Sequence, residues 1–471
     1  MAEVIIVGGG VAGLGAGLLL ARDGHHVRLL ERDPGPPPAE AGEAWREWER
    51  RGVNQFRMLH YFLPRFREIA EAELPDVVAE MEAAGALRTN PLDGLPAELR
   101  DGGRPGDERM TLVTGRRPVV EAAIARVASA QDGLDVERGV AVRGLLVDDA
   151  RANGTPHVRG VVTEAGEELR ADLVVDACGR RSALPEWLAT AGASPGVEEK
   201  DDCGFIYYGR HFRSADGSLP VAFGAPLQHY DSVSYLMLPA DNGTWGVGLV
   251  TSAADATLRA ARNVDVWERV TKSYPLVAHW MDGEPISDGV AVMAKIEDRH
   301  RRYWAGDVPS ATGVVALGDS WACTNPSVGR GASIGLLHAV CLRDVLREVP
   351  TSEPLELARR WDETTTAVVE PLYRDTLAFD RHRLAEIDAQ IEGRTYETDD
   401  VSWQFGKALG SAASRDPDLV RAALLIGGLL ERGVDVFAEP RIAERTLELA
   451  TDDPPPGPDR NELLSIVGAG D

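Results

Sequence analysis

The sequence is poor in cysteine and in basic residues. Its 471 residues include only four cysteines, at positions 178, 203, 323 and 341, and no two of them stand at C-x-x-C spacing. This argues against a disulfide scaffold, a zinc ribbon and a dithiol active centre, and we predict no metal site. Lys and Arg number 50 against 75 Asp and Glu, and the formal charge of −25 disfavours nucleic acid as a partner.

Long apolar runs are also missing. No stretch reaches the roughly 18 apolar residues that a membrane-spanning helix needs, and Met1 leads directly into the short apolar run 4–7 without a basic leader. The apolar fraction of 44% is enough for the cores of two or more domains at this length. We therefore expect a folded, cytoplasmic protein that acts on a small molecule, with its oligomeric state open.

The N-terminal segment has the pattern of a dinucleotide-binding fold. The apolar run 4–7 is typical of a buried parallel strand, and an Ala- and Leu-rich stretch to Arg22 predicts a helix. Between them, Gly8, Gly10 and Gly13 stand at G-x-G-x-x-G spacing. These positions serve a tight turn, close approach of a pyrophosphate, and close packing of helix on strand, so that the first helical amides face the phosphates.

Two acidic residues follow further strands. The second strand-like run, 26–30, ends in Glu31 and Arg32. An acid here accepts hydrogen bonds from the adenosine ribose and repels a 2′-phosphate, which favours FAD or NAD over NADP, and Arg32 is added as a cofactor contact. Far downstream, the apolar run 313–317 places Asp319 at the carboxyl end of a strand, where ligands of open α/β sheets bind.

Together these two segments resemble the para-hydroxybenzoate hydroxylase superfamily of FAD monooxygenases. The resemblance implies that Asp319 binds the ribityl chain of FAD and that the loop with Pro326 and Gly329 faces the flavin pyrimidine ring. Amides near Gly331 and Ala332 would stabilise negative charge on the reduced flavin. Reduced flavin would react with molecular oxygen to give a peroxide at carbon 4a, which the protein would shield from water.

A third segment, residues 172–182, resembles the epoxidase-like and halogenase-like branches of this superfamily through its D-x-V-V-D-A-x-G-R form. It differs from single-component hydroxylases, in which this region also helps to bind the nicotinamide donor. The electron donor therefore stays open between NAD(P)H and a separate flavin reductase.

Two basic segments resemble further FAD contacts of the family. Residues 115–121 are similar to a segment with an Arg at the start of a helix, and residues 51–60 to the R-x-G-V-P-Q-x-x-H-x-H segment of bacterial epoxidases. We predict that Arg117 and Arg51 pair with FAD phosphate, because a guanidinium fork suits that geometry.

The match to the epoxidase segment is partial, since Asn54 stands where the pattern has proline. We include Gln55 as a candidate cofactor contact. His60 is expected to be structural, and Arg116 is expected to face solvent.

The sequence predicts an α/β fold, with a Rossmann-like FAD-binding domain of the GR2 type, an antiparallel substrate sheet and a helical C-terminal region. The FAD-binding domain has a helical insertion at residues 56–88. A hairpin turn is expected at Asn242-Gly243. The expected parts are the FAD-binding domain at residues 1–190 and 305–350 (the latter with the Gly-Asp motif), the substrate domain at 195–300, and the C-terminal region at 351–471.

One face of the substrate sheet is expected to line the pocket. Alternation places neighbouring side chains on opposite faces, and the sequence does not tell which face points to the flavin. The pocket candidates are Tyr208, His211 and Tyr235. No catalytic residue is assigned, because oxygen transfer has no compulsory acid or base.

The sequence favours a monooxygenase that hydroxylates or epoxidises an apolar or aromatic small molecule, such as a secondary metabolite. A FAD-dependent reductase or oxidase of the geranylgeranyl-reductase type is the main alternative, because it shares the same FAD frame. A flavin-dependent halogenase is disfavoured, since the chain has no W-x-W motif and Lys295 lacks the setting of a catalytic lysine. A flavin-binding protein without catalytic activity would have an occluded pocket.

Overall fold

Five parallel strands form the central sheet of the computed structural model, which describes residues 1–148, 155–306 and 308–468. The first strand lies in the middle, and its apolar residues are buried on both faces, as is typical of parallel sheets. The strands lie side by side in the order Val314–Ala316, Leu173–Asp176, Glu3–Val7, His26–Glu31 and Leu134–Arg138.

Different layers cover the two faces of this sheet. Ile6 belongs to the core beneath the helices Val11–Arg22, Arg117–Ala130 and Gly331–Glu348. Ile5 points the other way, into a core shared with a small antiparallel sheet. The strands of this small sheet are Val142–Val147, Val158–Thr163 and Glu168–Arg170.

The parallel register brings four strand ends to one edge. Val7 pairs with Leu30 on one side and with Asp176 on the other, and Asp176 pairs with Ala316. The residues that follow these strands therefore meet at the carboxyl edge, where ligands of open α/β sheets bind. They are Gly8, Ala177 and Leu317, and Glu31 lies beside them as the last residue of its own strand.

A second, antiparallel sheet is built around two nine-residue strands. The expected hairpin is confirmed: Asn242 and Gly243 both have positive φ, 52° and 66°, and Thr244 N donates to Asp241 O over 3.0 Å. The strands lie in the order Leu227–His229, Val233–Pro239, Thr244–Ser252, Phe205–Arg213 and Glu284–Pro285, with Ala291–Met293 also paired to Phe205–Arg213.

The expected insertion at residues 56–88 is only partly helical. The first helix begins at Pro64, not at Phe56, since proline supplies a suitable first residue and the preceding chain is irregular. Phe56 and Phe62 are nevertheless buried in the main core. The insertion ends in a short strand, Leu87–Thr89, paired with Leu112–Thr114.

The remaining elements complete the two layers and the C-terminal region. Further strands are Val197–Asp202, Glu297–Arg302 and Ala322–Cys323, which form one sheet, and the pair Trp304–Ala305 and Val308–Pro309. The other α-helices are Ala41–Arg46, Pro64–Glu73, Pro75–Ala83, Ala97–Arg100, Leu184–Thr190, Val264–Lys272, Pro354–Val368, Glu370–Ile391, Val401–Ala412, Pro417–Gly427, Gly433–Phe437, Pro440–Leu449 and Arg460–Gly468. Within the described ranges, none of the helices has the length and apolar character needed to cross a membrane.

A buried ion pair joins the two main sheets. Arg116 donates to Asp241 Oδ1 from its backbone N and from Nε, over 2.7 and 3.0 Å, and the two side chains are 7% and 0% exposed. The expectation that Arg116 faces solvent is therefore wrong. Its pairing fixes the start of helix Arg117–Ala130 against the hairpin of the antiparallel sheet.

Candidate flavin site

The glycine loop after the first strand leaves room for a phosphate. A Cβ at Gly8 would lie 2.4 Å from Ala177 O, and one at Gly13 would lie 2.0 Å from Gly8 O. Gly10, in contrast, has no atom within 4 Å of an added Cβ, and no side chain caps the helix that starts after it. Open space and uncapped helix amides are therefore adjacent, as pyrophosphate binding requires.

Glu31 is held in place by three donors. Its Oε2 accepts hydrogen bonds from Gly9 N over 2.8 Å and from Arg50 Nη2 over 2.7 Å, and its Oε1 accepts one from Asp33 N over 2.8 Å. Each carboxylate oxygen can accept two hydrogen bonds. Oε1 thus keeps capacity for a ribose hydroxyl, the role that its position predicts.

Arg50 is a central residue of this candidate site that the sequence pattern did not single out. It is 5% exposed and forms ion pairs with Glu31, Asp33 and Glu121, while its Nη2 also donates to Gly9 O over 3.2 Å. The spacing contained a signal, because the R-x-G-V pattern places its arginine at position 50 rather than 51.

Arg51 and Arg32 lie at the surface beside this cluster. Both are exposed, and neither guanidinium forms a hydrogen bond with the described residues. With Asp33, Trp48 and Arg181 they line a cavity of about 850 Å³ next to Glu31. The pairing of Arg51 with a FAD phosphate stays a prediction, and its exposure at this cavity is compatible with it, whereas Arg50 is engaged with carboxylates.

Arg117 connects the ion pairs around Arg50 to His60. Its Nε donates to Glu121 Oε2 over 3.0 Å, and its Nη1 lies 3.4 Å from His60 Nε2. His60 Nδ1 lies 3.0 Å from Met58 O and must donate to it, so Nε2 accepts from Arg117. Burial, and then the charge of Arg117, lowers the pKa of His60 to about 3, so its ring is neutral and positions Arg117.

Asp319 lies at the convergence of three segments. It sits in the short turn Gly318–Ser320, and Ser320 Oγ bonds both Asp176 Oδ1 (3.3 Å) and Gly179 N (2.8 Å). The Asp319 carboxyl forms no hydrogen bond with the described residues. Burial raises its pKa, and the charges of Arg117 and Arg180 oppose this shift. The group is therefore an unpartnered acceptor at the carboxyl edge of the sheet.

The cofactor loop, defined as residues 325–331, follows Asp319. Pro326 starts a short turn, Gly329 has a φ of 67° that favours glycine, and helix Gly331–Glu348 begins without a side-chain cap. The first amides of this helix, including those of Gly331 and Ala332, are left for a ligand. Gln55 is half-buried and makes no side-chain hydrogen bond within the described chain.

Two of the predicted pocket residues point away from this site. Tyr208 and Tyr235 are 2% and 0% exposed and pack with Trp267 in a separate core, under helix Val264–Lys272. Alternation places both on the rear face of the antiparallel sheet, turned away from the cofactor loop.

Tyr207 lies on the front face, which points to the cofactor loop. Its hydroxyl donates to Asn325 Oδ1 over 2.6 Å. The sequence has tyrosine at both neighbouring positions, and it does not tell which of the two lies on the front face. Burial does not distinguish them either, because both side chains are buried.

The centre of the front face carries glycine. Gly209 pairs with Gly248, and Gly246 pairs with His211, so the three glycines form one patch, here called the glycine face. The side chain of Leu59 covers it and comes within 2.6 to 3.2 Å of the Cβ atoms that other residues would have. Glycine inside a strand often marks a place where a ligand or another backbone approaches closely.

His211 is the polar residue at the rim of the glycine face. It is 3% exposed, its ring lies 4.7 Å from that of Trp45, and it makes no side-chain hydrogen bond among the described residues. Burial, and then the charge of Arg116, lowers its pKa to about 3. A neutral ring with one free donor and one free acceptor remains.

The family profile of the FAD dependent oxidoreductases matches residues 3–343, which include all these segments. The chain belongs to this family, and the predicted FAD-binding fold and oxidoreductase class are confirmed. The glycine loop, Glu31 and the unpartnered Asp319 fit FAD. Within the described residues, no group of three or more His, Cys, Asp or Glu side chains is arranged for a metal ion.

Similar proteins include two relatives in sequence. Protein Rv3254 of Mycobacterium tuberculosis is 27% identical over 391 residues, with 79% of this chain and 78% of the relative covered. The FAD-dependent monooxygenase ntnJ of Nectria sp is 21% identical over 385 residues, with 76% and 78% covered.

Solved structures share the fold. PqsL of Pseudomonas aeruginosa, a probable FAD-dependent monooxygenase, superposes with a TM-score of 0.59 at 16% identity, over 82% of this chain and 99% of PqsL. CmlS, a flavin-dependent halogenase, superposes with a TM-score of 0.59 at 17% identity, over 99% of this chain and 76% of CmlS.

We expect Asp319→Ala to fold normally but to bind FAD at least about tenfold more weakly, because a charged acceptor is lost and no protein hydrogen bond is broken. FAD titration by fluorescence quenching measures the affinity, and thermal unfolding of the apoprotein measures folding. Asp216→Ala in an exposed loop is the control for the same chemical change. Equal FAD affinity of the two variants would exclude the assigned role of Asp319.

Arg50→Ala and Arg51→Ala are expected to distinguish an arginine that stabilises the fold from one that mainly affects FAD binding. Removing Arg50 takes the paired cation from buried Glu31 and Asp33, leaves Glu121 paired with Arg117, and costs about 3–5 kcal/mol of stability. Removing exposed Arg51 changes stability by less than about 0.5 kcal/mol and weakens FAD binding mainly at low salt. Urea unfolding of both apoproteins, with FAD titrations at two salt concentrations, measures both effects. Equal unfolding midpoints would contradict the central role of Arg50.

Proposed function

We propose that the protein is a FAD-dependent monooxygenase acting on a flat, largely apolar small molecule. The observation that carries the proposal is the hydrogen bond from Tyr207 to Asn325, because it holds the glycine face opposite the cofactor loop. A space that movement of Leu59 would open between this buried face and a flavin suits oxygen transfer, from which water must be excluded. The similarity to ntnJ and PqsL supports the same class.

The residues around this space set its chemistry. FAD, when bound, supplies the redox chemistry and, once reduced, the reaction with molecular oxygen. Leu236, Leu238 and Val250 surround the glycine face and exclude water. Leu59 lies on that face, and its movement would admit a planar ring.

His211 gives the substrate its orientation in this proposal. A neutral imidazole in apolar surroundings can donate one hydrogen bond and accept one, but it offers no charge to neutralise an ion. It therefore favours a substrate with a single hydroxyl, amine or carbonyl group directed at the rim of the glycine face. An aromatic ring with one such substituent meets both conditions.

The electron donor and the location are part of the proposal. Molecular oxygen is the co-substrate, and the electrons come from NAD(P)H or from a separate flavin reductase. The protein acts in the cytoplasm. The halogenase alternative is supported by the shared fold with CmlS but by neither a W-x-W motif nor a suitably placed lysine, and the reductase or oxidase alternative shares the FAD frame.

Rapid mixing of photoreduced holoenzyme with oxygenated buffer tests the reaction class. A monooxygenase predicts a transient absorbing species before the spectrum of oxidised flavin returns, with a longer lifetime when an aromatic ligand fills the pocket. Return of oxidised flavin in one step, with and without such ligands, would favour an oxidase or reductase.

A matched pair of variants links this reaction to the front face. His211→Leu is expected to weaken the binding of substituted aromatics, measured as a perturbation of the flavin spectrum, at least about tenfold. Tyr208→Phe changes a buried side chain on the rear face of the same strand and is expected to leave binding within about twofold. The same loss of binding in both variants would contradict the placement of the pocket.

A further inference from the structure

Helix Glu370–Ile391 of the C-terminal region places a buried acid beneath the cofactor loop. Asp380 is 2% exposed, and its Oδ1 accepts hydrogen bonds from Asn325 Nδ2 over 3.0 Å and from Ser327 Oγ over 2.6 Å. Its Oδ2 is buried and has no hydrogen-bond partner among the described residues. Burying a carboxyl group of which only one oxygen is hydrogen-bonded costs folding free energy, which points to a role other than packing.

Asn325 is the junction between this acid and the antiparallel sheet. Its Oδ1 accepts from the Tyr207 hydroxyl, its Nδ2 donates to Asp380, and its backbone N donates to Asp298 Oδ1 over 2.7 Å. Asn325 is 1% exposed and Asp298 is 3% exposed. The first residue of the cofactor loop is therefore fixed from three parts of the chain.

Arg330 brings a positive charge to the other end of the loop. Its Nη1 donates to Thr376 Oγ1 over 3.1 Å, one turn before Asp380 on the same helix, and its Nε is buried without a partner among the described residues. Burial lowers the pKa of Arg330, and the charges of Asp375 and Asp380 oppose this shift. The negative charge of an ionised Asp380 is thus only partly balanced by the positive charge of Arg330.

We propose that Asp380 is a positioning residue for the flavin: it holds the cofactor loop, and through Asn325 and Tyr207 it keeps this loop aligned with the glycine face. The proposal rests on FAD binding at the cofactor loop and not on the class of reaction. Replacing Asp380 should therefore alter how FAD is held, and not only how stable the fold is.

The position of Asp380 also makes FAD binding sensitive to pH. Burial, and then the nearby charge of Asp298, raises the pKa of Asp380 to about 7, whereas hydrogen bonds from Ser327 and Asn325 and the charge of Arg330 lower it. Asp298 itself has a pKa raised to about 6, chiefly by burial.

Other groups near this acid do not titrate in the same range. Burial raises the pKa of Tyr207 well above its usual value and that of Cys203 to about 12, so both stay protonated at neutral pH. Arg330 stays charged. The change near pH 7 therefore belongs to Asp380, coupled to Asp298.

The sign of the effect follows from charge. When pH rises through about 7, Asp380 ionises and adds negative charge beneath a loop that faces an anionic cofactor. FAD binding is therefore expected to weaken. The same ionisation lowers the stability of the fold. In the unfolded chain this carboxyl loses its proton near the ordinary aspartate pKa of 3.8, so the native state binds more protons than the unfolded state between about pH 4 and 7. The contribution of Asp380 to the free energy of unfolding therefore declines as pH rises across that window.

FAD titrations of the full chain between pH 5.5 and 8.5 test the proposal. For the wild type we expect the dissociation constant to rise at least about threefold across pH 7. Asp380→Asn, which mimics the protonated acid, should bind FAD at pH 6 within about twofold of the wild type and lose the rise. Asp380→Ala should bind at least about tenfold more weakly at pH 6, because two hydrogen bonds to the loop are lost.

Glu386→Gln is the matched control. Glu386 is a buried acid on the same helix, but it pairs with Arg383 and Lys407, away from the cofactor loop. This variant should keep the wild-type pH dependence even if it is less stable. Asp298→Asn should keep the rise but shift it to lower pH, since a negative neighbour of Asp380 is removed.

Three outcomes would overturn the proposal. The first is an unchanged pH dependence in Asp380→Asn, and the second is the same loss of pH dependence in Glu386→Gln. The third is an Asp380→Ala protein that is folded by circular dichroism and binds FAD like the wild type. None of these measurements involves oxygen, so a failed monooxygenase assignment would leave their results intact.

Discussion

The cofactor half of the molecule depends on one buried cation. Glu31, Asp33 and Glu121 are each less than 6% exposed, and together they would repel one another without a counter-charge. Arg50 forms an ion pair with each of the three and also contacts Gly9 O, so the acid predicted for the ribose and the glycine loop share one anchor. Arg117, bonded to the same Glu121, extends this network to His60.

A second constraint aligns the cofactor loop with the antiparallel sheet. Arg116 and Asp241 join the start of a helix in the parallel-sheet half to the hairpin of the antiparallel sheet, and Tyr207 and Asn325 join the front face of that sheet to the cofactor loop. Both contacts are buried, so water does not weaken them. The glycine face is thus held opposite the loop at two points, and the side chain of Leu59 covers it.

The sequence predicted the features that depend on local pattern. The glycine spacing, the hairpin at Asn242-Gly243 and the position of Asp319 after a strand all follow from backbone geometry. Features that depend on long-range packing were missed. The choice of Tyr207 over Tyr208 requires knowing which face a helix covers, and Asp380 meets the cofactor loop only through tertiary contacts. Arg50 was missed because the R-x-G-V motif was aligned one residue too late, on Arg51, although the motif spacing places its arginine at position 50.

A crystal structure of the FAD-loaded protein tests the central claim most directly. We predict the Asp319 carboxylate within hydrogen-bond distance of a ribityl hydroxyl, the amides of Gly331 and Ala332 at the pyrimidine ring, and the other flavin face towards the glycine face. Flavin electron density away from the cofactor loop, or against the rear face that carries Tyr208, would contradict it.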